Sequence, residues 1–197
     1  MKNAVVVHGW GGNSQGNWFP WLKAELEKQG FKVSVPDFPN AQNPVLSEWL
    51  HYFNKSVTVD AETILIGHSL GVAFILRFLE YLSLHSENEI PRLPSGARND
   101  KKKIKAAFLV AAFDRSLGIP EIENFINTSF NWEKIKSSCD RFTVINSDND
   151  PYIPLQIGKD LAKNLDTELI IEHNAGHIDN PDGLLGYPKL LNFIVRV

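Results

Sequence analysis

A chain of 197 residues, 43% hydrophobic and 22% charged, can bury a sizeable core and reads as one domain over residues 1–197. The net charge of -3 leaves no electrostatic footprint for nucleic acid, and the longest apolar run, Ala106 to Phe113, is far short of a membrane span. The single cysteine, Cys139, cannot close an internal disulfide, so a soluble cytoplasmic protein with no nucleic-acid or membrane partner is expected.

Asn3 to Val7 predicts a buried strand, followed by the loop His8-Gly9-Trp10-Gly11-Gly12. Asn17 is placed to cap a helix to about Gln29, in which Leu22 and Leu26 share a face and Gly30 ends the run. Phe31 to Val35 predicts a second strand, closed by Pro36-Asp37-Phe38-Pro39, and Val45 to Phe53 a helix. Thr63 to Ile66 predicts a third strand, with a helix from Val72 to Leu82 behind it. From Ser83 to Lys103 the hydrophobic periodicity vanishes, which predicts an exposed excursion inside the domain.

Lys105 to Phe113 predicts a fourth strand, and Asp114 to Asn131 an irregular stretch with some helix. A short amphipathic piece follows at Trp132 to Lys136. Arg141 to Asn146 and Glu168 to His173 predict the last strands, separated by a helix from about Pro154 to Leu165. Gly186-Tyr187-Pro188 introduces a closing helix to about Val195.

Strands that are near-continuous apolar runs, alternating with helices, predict an α/β fold: a parallel sheet with helices on both faces. Ligands of such sheets bind at the carboxyl ends of the strands. Ser69, the Gly11-Gly12 loop, the stretch Asp148 to Asp150, and His177 all follow predicted strand ends, so all belong to one rim.

The template Gly-x-Ser-x-Gly occurs twice, around Ser14 and around Ser69. Only Gly67-His68-Ser69-Leu70-Gly71 has a strand running straight in and a helix running straight out, the context of a nucleophile elbow. Ser14 sits behind the polar run Gly11-Gly12-Asn13 and reads as loop. A serine hydroxyl needs a base to take its proton as it attacks. Of the six histidines, His8, His68 and His177 lie near the rim. His68 neighbours the serine and leaves the turn in another direction; His8 is suited to holding the glycine loop by hydrogen bonds. His173 closes a strand. His177 completes the chain order serine, acid, histidine.

Asp148 and Asp150 both follow the fifth strand, and spacing prefers Asp150 only mildly, through the proline after it. For the oxyanion, Leu70 N–H supplies one donor, and Trp10 N–H in the first loop is the expected second. Trp10, Trp18, Phe19, Phe113 and Tyr152 are candidates to line an apolar substrate pocket, set against ordinary core packing.

The chain resembles the small serine hydrolases related to retinoblastoma-binding protein nine. The match runs over nearly the whole length, through Trp18, Trp21-Leu22-Lys23-Ala24-Glu25-Leu26-Glu27-Lys28, Ile64-Leu65-Ile66-Gly67-His68-Ser69, Trp132-Glu133-Lys134-Ile135-Lys136, Asp150-Pro151, Pro154 and Gly176-His177. The resemblance implies a six-stranded α/β-hydrolase fold without a large lid, with Ser69 as nucleophile, Asp150 as acid and His177 as base. The Ser83–Lys103 excursion is longer than the family leads one to expect. Cys139 lies in Ser137-Ser138-Cys139-Asp140-Arg141, so a Leu-x-Cys-x-Glu motif for pocket proteins is absent and no protein partner is assigned.

The expected activity is hydrolysis of small carboxylic esters, or amides, through an acyl-enzyme, with no metal or organic cofactor. Such an enzyme loses kcat/KM below about pH 6–7, where an imidazole base protonates. One alternative is a hydrolase-fold binding module with little turnover. Another is a dinucleotide-binding oxidoreductase, for which the strand, glycine-rich turn and Asp37 are in the right order; against it, the last glycine of the fingerprint is missing and Trp10 is bulky.

Overall fold

On a strand successive side chains face opposite ways, and here both sets are apolar. The computed structural model describes residues 2–85, 103–180 and 186–197. Its strands are β1 (Asn3–Val7), β2 (Lys32–Ser34), β3 (Thr63–His68), β4 (Ala106–Val110), β5 (Phe142–Ser147) and β6 (Leu169–Glu172). They form one six-stranded sheet in the order β2-β1-β3-β4-β5-β6, with every neighbouring pair parallel.

Val7, Leu65, Leu109 and Val144 turn to one face of that sheet, Val6, Ile66, Phe108 and Ile145 to the other. The first face is covered by α2 (Leu46–Ser56), α3 (Leu70–His85), α4 (Trp132–Ser137) and α5 (Leu155–Asn164), which contribute Trp49, Phe74, Ile135 and Leu161. The second is covered by α1 (Phe19–Lys28) and α6 (Pro188–Ile194) through Leu22, Leu26, Leu190 and Ile194. The predicted α/β architecture is therefore the observed one. Chain direction across the sheet reverses between β1 and β3, so the crevice at their carboxyl ends is the natural ligand position.

The apolar patterning located the elements, and the boundaries moved where polar residues carry them. Helix α3 starts at Leu70 and runs to His85, so 83–85 belong to its last turn. Of the rest of the predicted excursion, residues 86–102 lie outside the described residues and Lys103 lies within them. Asn17 does not cap α1. Its φ of 49° is left-handed rather than the extended backbone of a capping residue, and Trp18 holds the cap position. Among the described residues no helix is long and apolar enough to cross a membrane.

Between β4 and α4 the irregular stretch, with a 3-10 helix at Pro120–Phe125, is tied down by one buried cation. Arg77 of α3 donates from Nε to Phe125 O at 2.8 Å and from Nη2 to Thr128 O, and pairs with Glu80 at 2.8 Å. Its guanidinium lies 3.8 Å over the Phe130 ring, and the Glu80 carboxylate also accepts from Asn131 N at 2.8 Å. The sequence offers no periodic signal for that anchorage, because it is made by one arginine to backbone carbonyls.

On β5 the buried Asn146 donates to Ala112 O at 3.0 Å, while among the described residues its Oδ1 has no partner. A Cβ built on Gly158 of α5 would stand 2.5 Å from that oxygen. Gly158→Ala is therefore expected to destabilise the fold by about 1–3 kcal/mol through overpacking, although alanine is the better helix former by ~1 kcal/mol. Urea denaturation checks it, and a raised midpoint contradicts the close packing of α5 on Asn146.

Candidate active site

Ser69 follows β3 directly with φ at 55°, a left-handed conformation that a serine adopts at a cost. Two glycines make the turn possible. A Cβ on Gly71 would lie 2.3 Å from Val7 O, and one on Gly67 2.8 Å from Gly71 O. The turn is secured by Ser69 N donating to Val110 O at 3.0 Å and by Val72 N donating to Ser69 O at 2.9 Å, which starts α3. The other candidate serine has none of this. Ser14 lies in a loop, where its N–H and Oγ–H go to the two oxygens of Asp37 at 2.6 and 3.1 Å. Asp37, the acid of the dinucleotide reading, is thereby engaged within the protein.

The Ser69 hydroxyl meets His177 Nε2 at 3.0 Å, and His177 Nδ1 meets Asp150 Oδ2 at 2.8 Å. The Asp150 side chain is fully buried and His177 only 13% exposed. Asp150 Oδ1 accepts from Tyr152 N at 2.8 Å and Ile153 N at 3.0 Å, which fixes the carboxylate before it meets the ring. With Nδ1–H given to the carboxylate, Nε2 presents its lone pair to the serine O–H. An alcohol, imidazole and buried carboxylate so linked can pass a proton from the alcohol to the ring and stabilise the resulting imidazolium. Asp148 is engaged elsewhere: it accepts from Asn174 N at 2.8 Å and pairs with His173. Those two bonds, the backbone one first, hold its carboxyl below the usual carboxylate range.

The remaining rim histidines have structural partners. His8 is buried, gives Nδ1–H to Gly9 O at 2.8 Å and accepts Phe38 N–H on Nε2 at 3.2 Å. Burial lowers its pKa. His68 is buried beneath His177; its Nε2 donates to His177 O at 3.0 Å, and its Nδ1 faces Asn17 Nδ2 at 3.4 Å. Asn17 Nδ2 also donates to Asp179 Oδ1 at 3.2 Å.

Burial, and then the neighbouring His177, push His68 down from 6.5 to about 4. The unfolded chain thus binds a proton on His68 between these values that the folded chain does not. The contribution of His68 to stability is therefore complete above about pH 6.5 and is lost progressively as pH drops toward 4. Urea midpoints measured across that window are expected to fall less steeply in His68→Gln than in the wild type, and equal slopes would contradict the buried neutral imidazole.

The ring nitrogens of His68 and His177 and a carboxylate oxygen of Asp179 lie within 4.8 Å of one another, a set that could hold a metal ion. In the structure these atoms serve hydrogen bonds instead: His68 Nε2–H is given to His177 O, and both His177 nitrogens are engaged.

Of the donors proposed for an oxyanion, Leu70 N–H is the first amide of α3, with no carbonyl of its own helix to meet. In the loop after β1, Gly11 N donates to Ala41 O at 2.8 Å and Gly12 N to Gly9 O at 3.1 Å. Trp10 N–H has no partner among the described residues. Gly9 runs beside the serine: a Cβ there would come 3.1 Å from Ser69 Cβ. The predicted aromatic lining divides in two. Trp10 is 42% and Tyr152 62% exposed, and the Tyr152 ring centroid is 5.1 Å from that of His177. Trp18, Phe19 and Phe113 are corrected to core residues, all but fully buried, with Trp18 Nε1 donating to Ile178 O at 2.9 Å. Their apolar rings lie at strand and helix ends where both sheet faces still require filling.

Sequence reasoning missed the supporting polar residues, Asn17, Ser147 and Asn149 among them. Ser147 and Asn149 offered only their position at a strand end, and Asn17 only its suitability as a helix cap, since short polar side chains in loops have no periodicity.

A family model described as serine hydrolase matches residues 4–196. The protein YdeN of Bacillus subtilis (strain 168) is 32% identical over 189 residues, covering 95% of this chain and 91% of that one. The serine hydrolase RBBP9 of Rattus norvegicus is 27% identical, covering 91% of this chain and 88% of its own. The crystal structure of the ydeN gene product superposes with a TM-score of 0.83 at 29% identity, over 100% of this chain and 98% of that one. Est1E from Butyrivibrio proteoclasticus shares the fold at 12% identity, with a TM-score of 0.68 over 100% of this chain and 88% of its own. A match over this length, joined to the six-stranded sheet, places the chain in the serine hydrolase family, with an α/β-hydrolase fold.

Proposed function

We propose that this serine hydrolase cleaves small carboxylic esters, or amides, through an acyl-enzyme, with Ser69, His177 and Asp150 as a catalytic triad. The reading is carried by the continuous hydrogen-bonded chain Asp150–His177–Ser69, anchored at a strained turn. Ser69 Oγ attacks the carbonyl carbon while His177 Nε2 takes its proton. The tetrahedral oxyanion is received by the N–H groups of Leu70 and Trp10. The C–O bond to the alcohol then breaks, and His177 returns the proton to the leaving oxygen. Water, deprotonated by the same ring, releases the acid and restores the serine.

Asp150 holds the tautomer and offsets the imidazolium charge throughout. Each oxyanion donor is worth about 3–4 kcal/mol in such chemistry. Trp10 and Tyr152 stand at the rim as flanks for the acyl or leaving group. An ester is placed first because its alkoxide leaves the tetrahedral intermediate more readily than the unprotonated nitrogen of an amide.

Labelling with a fluorophosphonate probe, mapped by mass spectrometry, followed by an acyl-length series of simple esters, tests the proposal. Stoichiometric label on Ser69 with turnover supports it. Label without turnover across the series favours a binding module, and no label on Ser69 ends the triad reading.

A further inference from the structure

Strand β5 ends at Ser147 and β6 at Glu172, and Asp148 N donating to Glu172 O at 3.0 Å continues the pairing just past both ends. Beyond that point backbone pairing gives way to a different ladder. Asp148 Oδ1 accepts from Asn174 N at 2.8 Å, Ser147 Oγ from Ala175 N at 3.1 Å, and Asn149 Oδ1 from Gly176 N at 2.8 Å. Asp150 Oδ2 then meets the His177 ring itself at 2.8 Å. Consecutive side chains 147–150 of one loop thus grip consecutive residues 174–177 of the other. The buried Ser147 hydroxyl also donates to Asn149 Oδ1 at 2.8 Å, bracing that rung from behind.

We propose that Asn149, braced by Ser147, is a positioning residue for His177, an inference that rests on the triad reading above. The segment before the histidine needs such a hold. Asn174 and Gly176 both have left-handed backbone, with φ of 56° each, and a Cβ built on Gly176 would meet nothing within 4 Å. No side-chain packing therefore restrains Gly176 on that side. Its N–H bond to Asn149 secures the backbone one residue before the imidazole, and the His68 bond to His177 O secures the backbone after it. Between these two anchors the ring can turn only about its own side-chain bonds, where Asp150 and Ser69 select one orientation. Both bonds at the Asn149 side chain end on the same oxygen, Oδ1, so an acceptor at that place is what the arrangement requires.

The test compares Asn149→Leu, which removes the acceptor, with Asn149→Asp, which keeps it, in the full chain. Readouts are the fluorophosphonate labelling rate at Ser69, kcat and KM on the best ester of the series, and the downfield proton resonance of His177 Nδ1–H. Asn149→Leu is expected to lower labelling and kcat by about 10–100-fold with KM nearly unchanged, and to broaden the resonance. Asn149→Asp restores both rates to within a few-fold. Ser147→Ala, a smaller change that covers the case of a Leu variant that does not fold, gives a lesser loss in the same direction.

Unchanged kcat and resonance in the variants, a lower melting temperature alone, or a loss that Asn149→Asp does not repair would each overturn the inference. A wild-type protein that takes no label at Ser69 would remove the triad reading first. A labelled wild type with unaffected variants sinks this inference alone.

Discussion

Ser69→Ala is expected to abolish fluorophosphonate labelling and to lower kcat by about five to six orders of magnitude, while Ser14→Ala leaves both unchanged. The contrast follows from geometry, since both serines satisfy the same sequence template. Ser69 is held at φ 55° between two glycines that no larger residue can replace, with its Oγ 3.0 Å from His177 Nε2. Ser14 Oγ instead donates to the Asp37 carboxylate at 3.1 Å and accepts from Gln15 Nε2 at 3.2 Å, with no imidazole among its hydrogen-bond partners. Alanine removes only one oxygen, and the turn's other bonds, Ser69 N to Val110 O and Val72 N to Ser69 O, are made by backbone. The variant is therefore expected to fold with unchanged thermal stability, so a lost label reports chemistry. Retained label on the alanine variant, or a label mapped to Ser14, would move the nucleophile.

Asp150→Asn is expected to cost about four orders of magnitude in kcat, and Asp148→Asn only about one. An amide at position 150 can still accept on Oδ1 from Tyr152 N and Ile153 N. Toward His177 Nδ1, however, it has its NH2 group, which forces the ring into the other tautomer and leaves an N–H pointing at the serine. Asp148 touches neither partner of that pair. Its bonds to Asn174 N and His173 hold the histidine loop, and asparagine preserves the acceptor for Asn174 N. Measured kcat values of the two variants at one pH above neutrality decide the matter. Comparable losses would mean that the acid has been misassigned.

From spacing alone Asp148 and Asp150 stay nearly level, because both follow the same strand end within three residues. The resemblance to known serine hydrolases pointed to Asp150, and the hydrogen bonds show how the two carboxylates divide their partners. The Trp18, Phe19 and Phe113 case runs the other way. Aromatic residues near a rim look alike in sequence whether they face substrate or core, and only packing on the sheet distinguishes them. Asn17 fails as a cap for a related reason: a residue type favoured at helix starts is equally suited to left-handed loop backbone, and here it serves Asp179 and His68.

What the amino-acid sequence by itself determined was the alternation of strands and helices, the parallel sheet, and the turn at Ser69. Those features follow from local order: runs of apolar residues, their period, and glycines at fixed offsets from one serine. The tertiary structure alone decided what each of the two carboxylates bonds to, which aromatics stay in solvent, and how loops 147–150 and 173–177 grip each other. Such choices are made between segments brought together by the sheet, through single hydrogen bonds whose partners lie more than twenty residues apart, and no periodicity along the chain encodes them.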